Sequence, residues 1–120
     1  MPKTNVNGIE LYYELQGEGM PLVLISGLGY PLWQWHLMVP HLEKQFRVIT
    51  FDNRGVGQSD KPAGPYTASM LAKDVVGLLA TLGIEKAVVM GHSMGGFIAQ
   101  AMALEYPERV DKLILASTNF

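Results

Sequence analysis

Gly91-His92-Ser93-Met94-Gly95 is the stretch of this sequence best suited to chemistry. The apolar run Ala87 to Met90 before it reads as a buried strand, and the alanine-bearing stretch after it, to Met102, reads as a helix. A serine at so sharp a strand-to-helix turn has its hydroxyl pushed out above the sheet. Glycines two residues away on either side are what let strand and helix approach, and Gly96 adds room for close packing. At a helix N-terminus the serine also stands beside unpaired N–H groups and the positive end of a dipole, where an oxyanion can develop. The pattern predicts a nucleophilic serine of the acyl-transfer kind.

Such a hydroxyl needs an adjacent base at neutral pH. The sequence has three histidines, His36, His41 and His92. His92 adjoins Ser93 in the chain and cannot easily turn back to it, so a packing or loop-binding role suits it better. His36 and His41 lie off one helical face, which argues against a metal pair. Asp52 and Asp60 read as builders of the tight polar loop Asp52–Asp60 rather than as a catalytic acid. Trp33 and Trp35 either line a pocket or pack a helix. The chain has no cysteine, which excludes a thiol nucleophile, a disulfide framework and a zinc–thiolate site. Gly27 and Gly29 begin a G-x-G, but Leu32 stands where a dinucleotide fingerprint needs its third glycine. Gly96 is followed by Phe97-Ile98, not by the lysine and hydroxyl residue of a phosphate loop. No cofactor and no metal are expected.

The elements that would position these residues are legible in turn. Asn7-Gly8 within an alternating stretch from Thr4 to Leu15 predicts an antiparallel hairpin. Leu22–Ile25 is a continuous apolar run suited to a strand covered on both faces, and Ser26-Gly27-Leu28-Gly29 follows at its carboxyl end, where open α/β sheets place ligands. Leu32–Lys44 reads as a helix made irregular by Pro40. Phe46–Phe51 reads as a strand, and Ala68–Leu82 as a helix capped by Thr67 and stopped by Gly83. Val110–Ala116 reads as a last strand. The order predicts an α/β fold, a three-layer sandwich whose mostly parallel sheet begins with an antiparallel hairpin.

Composition narrows the classes. Of the 120 residues 48% are hydrophobic and 17% charged, with a formal net charge of −2, so a nucleic-acid partner is not expected. No apolar segment approaches the ~20 residues of a membrane helix, and the N-terminus lacks the apolar core of a signal peptide. A cytoplasmic protein without membrane association is the simplest expectation.

Three blocks, Ser26-Gly27-Leu28-Gly29, Asp52–Asp60 and Gly91–Gly96, resemble the α/β-hydrolase superfamily, and within it the group of small esterases, lactonases and ring-cleavage-product hydrolases. The resemblance implies a truncated core, residues 1–120 forming a partial domain with about the first six of the family's eight strands, without its lid and later strands. It implies Ser93 as nucleophile, the backbone N–H groups of Leu28 and Met94 as oxyanion hole, and substrate contacts at Gly27, His92 and Trp33. Serine at position 93 departs from the dehalogenase and epoxide-hydrolase branches, which use aspartate there. Where the family most often has histidine, this chain has Ser26. In the family the acid follows the sixth or seventh strand and the general-base histidine the eighth; Ser117-Thr118-Asn119-Phe120 holds no carboxylate, so hydrolysis of an ester or lactone by this chain is expected to be weak or absent. The alternative is a catalytically inactive half-domain that assembles as a homo-oligomer through the edge strand Val110–Ala116.

Overall fold

The computed structural model describes residues 2–27 and 29–117. Strands β1 (Lys3–Val6) and β2 (Ile9–Gln16) form the hairpin, with Asn7 and Gly8 both at positive φ, 51° and 84°, in its two-residue turn. That is the backbone such a turn requires. Strands β3 (Met20–Ile25), β4 (Phe46–Phe51), β5 (Ala87–His92) and β6 (Val110–Ala116) follow. They join the hairpin in one sheet of order β1-β2-β4-β3-β5-β6. β3 pairs in parallel with β4 and β5, and β5 with β6, while β2 lies antiparallel to β4. The predicted α/β architecture, a mostly parallel sheet with an N-terminal antiparallel hairpin, is the one observed.

Both faces of the sheet are covered, which is why Leu22–Ile25 of β3 reads as an unbroken apolar run. Helices α2 (Ala68–Thr81) and α3 (Met94–Glu105) pack on one face around Val23, Ile25, Ile49, Phe51, Val75 and Met102. The other face is closed over Leu22, Leu24, Val48 and Val88 by Trp35 and Val39. α2 begins where its sequence predicts, the Thr67 hydroxyl accepting from the Met70 N–H at 3.0 Å.

The segment read as one helix from Leu32 to Lys44 is different. It forms a single 3-10 turn at Leu32–Trp35 and a separate four-residue helix α1 (Val39–Leu42). Pro40 sits in the first turn of α1, where a missing N–H costs nothing. It starts a helix rather than bending one. The backbone N–H of Leu32 is drawn into a tertiary bond with Asp52 Oδ1 at 2.6 Å, and this fixes the 3-10 turn against the carboxyl end of β4.

Among the described residues no helix is long and apolar enough to cross a membrane. β6 is the last strand in the sheet order, and Leu113 and Ile114 on it are 38% and 43% exposed.

Candidate active site

Ser93 alone joins β5 to α3. Its backbone stands at φ 56°, ψ −119°, a conformation that a residue with a side chain adopts only at a cost. Backbone hydrogen bonds help hold it there: its N–H donates to the Ala116 carbonyl at 3.0 Å, and its carbonyl accepts from the Gly96 N–H at 2.9 Å. The flanking glycines are needed for space. A Cβ at Gly91 would run into the backbone of Gly95 and Gly96, and one at Gly95 into the carbonyls of Ile25 and Ser26. The sheet, the loop after β3 and the start of α3 thus meet with backbone against backbone at this turn.

Met94 is the first residue of α3, so its N–H has no acceptor within the helix. Gly27 faces the turn from β3: a Cβ built there would stand 3.4 Å from Ser93 Cβ and 3.6 Å from His92 Nδ1. Gly27, His92, Ser93 and Met94 are therefore brought together. Leu28 lies outside the described residues. Trp33 is 64% exposed, its ring stacked on His36 with centroids 4.3 Å apart. It borders two clefts toward Glu14, neither of which includes Ser93 or Met94.

A cavity of about 300 Å³ lies against the start of α3, lined by Gly29, Asn53, Arg54, Tyr66, Leu71 and Met94 among others. Arg54 brings no net charge to it, because its guanidinium pairs with Asp74 on α2. That hydrogen bond holds the guanidinium above its ordinary value, although burial pulls the other way. Asn53 is 2% exposed, and both polar atoms of its side chain lack a hydrogen-bond partner among the described residues.

Asp52 is a loop builder. Its Oδ1 accepts from the Leu32 N–H, and its Oδ2 from the Gln58 N–H at 2.9 Å. None of the histidines is placed as a base for Ser93. His92 Nδ1 bonds to Gln34 Nε2 at 2.7 Å, His36 Nδ1 turns to the Trp33 carbonyl at 2.9 Å, and His41 is exposed. Among the described residues no three His, Asp or Glu cluster as a metal would require. Sequence reasoning missed Gln34, which also accepts from the Gly27 N–H at 2.9 Å. Its only local signal is a polar residue between two tryptophans, and nothing in that spacing reveals its partners.

Residues 20–120 match the family model for the alpha/beta hydrolase fold. The chain belongs to that family. It is similar to 2-hydroxymuconate semialdehyde hydrolase of a Pseudomonas species, 42% identical over 112 residues, covering 90% of this chain and 40% of that protein. It is also similar to a soluble epoxide hydrolase of a Corynebacterium species, 36% identical over 110 residues, covering 92% and 38%. The crystal structure of the enol-lactonase from Burkholderia xenovorans superposes with a TM-score of 0.95 at 41% identity, over 98% of this chain and 46% of that one. The chain thus spans less than half the length of these α/β hydrolases, over the part that holds the turn at Ser93.

Proposed function

We propose that the chain is the nucleophile-bearing part of a serine hydrolase acting on a small carboxylic ester or lactone. The observation that carries this is the backbone of Ser93, held at φ 56° between β5 and α3 with the Met94 N–H beside it. In this reading Ser93 Oγ attacks the carbonyl carbon and gives its proton to a base. The N–H groups of Met94 and Leu28 hold the oxyanion. Collapse of the adduct expels the alcohol, which takes up that proton, and water then releases the acid from the acyl-enzyme. Gly27 and His92 flank the reacting carbonyl, and the exposed Trp33 indole offers an apolar surface at the rim. The neutralised Arg54 and the apolar neighbours Leu71 and Met94 suit an uncharged substrate. Serine at position 93 favours ester or lactone chemistry over the epoxide chemistry named for one relative.

The acid and the base are not supplied by the described residues of this chain. Oxyanion hole and binding alone leave ~10³–10⁴-fold acceleration over water in a serine protease without its triad. Turnover by these 120 residues is therefore weak and confined to activated esters. A fluorophosphonate probe followed by intact mass tests the reading. One adduct per chain, lost in Ser93→Ala, supports it. A folded sample that takes up no probe refutes an activated serine here.

A second reading, self-association without catalysis, is favoured by the place of β6 at the edge of the sheet among the described residues and by its exposed Leu113 and Ile114. Two copies pairing through Val110–Ala116 would sediment as a dimer at micromolar concentration, and Ile114→Lys would return them to monomers. Sedimentation of the parent chain as a monomer rules this out.

A further inference from the structure

The carboxamide of Gln34 joins two backbone segments that are far apart in the chain. Its Oε1 accepts from the Gly27 N–H at 2.9 Å, and its Nε2 lies 2.7 Å from His92 Nδ1. A backbone N–H can only donate, so the oxygen of the amide must face Gly27 and the NH2 must face His92. The NH2 can only donate in turn, so His92 Nδ1 is the acceptor, and the neutral ring carries its proton on Nε2. The 3-10 turn that bears Gln34 is itself anchored on both sides. Leu32 N–H donates to Asp52 at the end of β4, and Trp35 Nε1–H donates to Ser26 Oγ at 3.0 Å at the end of β3. Gln34 therefore reaches β5 from a turn already fixed to β3 and β4.

We propose that Gln34 is a positioning residue that sets the spacing between Gly27, in the loop after β3, and His92, at the Ser93 turn, and selects the tautomer of His92. Through Gly27 it holds the loop after β3, which faces the Ser93 turn. Through His92 it holds the residue before Ser93, whose other neighbour, Met94, supplies an oxyanion donor. The positioning role rests on Ser93 being the nucleophile; the tautomer does not. An oxyanion hole works because its donors are fixed before the reaction, and loss of a donor costs ~10²–10³-fold in rate. Loosening one side costs less.

Two variants separate the clasp from mere packing. Gln34→Glu keeps the shape and can still accept from Gly27, but its carboxylate cannot donate, so the neutral His92 ring must move its proton to Nδ1. Gln34→Leu removes both bonds. Long-range ¹⁵N–¹H NMR of the full chain at neutral pH reads the ring directly. The expected result is an unprotonated Nδ1 in the parent and a protonated Nδ1 in Gln34→Glu, with Gly27 amide exchange about tenfold faster in Gln34→Leu. A protonated Nδ1 in the parent, an unchanged ring in Gln34→Glu, or unchanged Gly27 exchange overturns the proposal. Fluorophosphonate labelling supplies the functional arm, with Gln34→Leu expected to label Ser93 about tenfold more slowly than the parent while still melting cooperatively. Equal labelling rates overturn the positioning role. No labelling of the parent means that the reading of Ser93 has failed, and with it the positioning role; the NMR result still decides the clasp and tautomer.

Discussion

Arg54 and Asp74 form a two-point ion pair, Nε to Oδ2 at 2.9 Å and Nη2 to Oδ1 at 3.0 Å, with Asp74 1% exposed. Asn7 Nδ2 adds a third bond to the same carboxylate, at 3.1 Å. One buried acid thus ties the loop after β4 and the hairpin turn to the middle of α2. It also removes the charge that Arg54 would otherwise present to the cavity beside Met94.

Removing one partner of a buried pair costs more than the pair contributes, because the remaining charge stays desolvated. Asp74→Ala is expected to lower stability by about 3–5 kcal/mol, read as a lower urea midpoint. The double variant Arg54→Met, Asp74→Leu should recover much of that. A cost below about 1 kcal/mol for Asp74→Ala would mean that solvent already reaches the Arg54 guanidinium.

Tyr12 gives a pH dependence at the alkaline end. Its hydroxyl donates to Glu14 Oε2 at 2.5 Å, and this bond, with burial and the negative charge of Glu14, pushes the phenol from 10.0 up to about 12. The folded chain therefore keeps this proton to higher pH than the unfolded chain does. The associated stability is complete below pH 10.0 and is lost as pH rises toward about 12. Melting temperatures at about pH 9 and about pH 11 should fall further in the parent than in Tyr12→Phe. Equal falls would place the phenol at its ordinary value.

Asn53 bears on stability in the opposite sense. A buried amide without partners forfeits about 1–3 kcal/mol of desolvation. Leucine has the same branching at Cγ and would be set beside a cavity of about 300 Å³ that can take its extra volume. Asn53→Leu is therefore expected to raise the urea midpoint. A loss of more than about 1 kcal/mol would show that the amide is bonded in solution.

What the sequence reveals here is what short stretches decide by themselves. The hairpin turn at Asn7-Gly8, the cap at Thr67 and the limits of β4 and β6 follow from a two-residue turn, one hydroxyl and short stretches rich in β-branched, aromatic and aliphatic residues. The Ser93 turn is legible for the same reason, since Gly91 and Gly95 lie within two residues of it. The stretch from Leu32 to Lys44 is misread because its apolar spacing is helical while its backbone answers to Asp52, twenty positions away. Gln34 is invisible for that reason too: its bond to His92 spans 58 positions, and no pattern of neighbours encodes it.

Ser93 itself allows a test in which stability and reactivity move apart. With φ at 56° and ψ at −119° it occupies a region that costs a residue bearing a Cβ of order 1–3 kcal/mol. Alanine at this position would keep that strain, whereas glycine would release it. Glycine elsewhere costs about 0.5–1 kcal/mol relative to alanine through chain entropy. Ser93→Gly is therefore expected to be more stable than Ser93→Ala by up to about 2 kcal/mol, the reverse of the usual order. Both variants lose the hydroxyl and should take up no fluorophosphonate. Urea unfolding of the two, side by side, reads the difference without any need for activity. If Ser93→Ala proves the more stable, the strain is absent in solution, and the serine is not being held out above the sheet by its backbone.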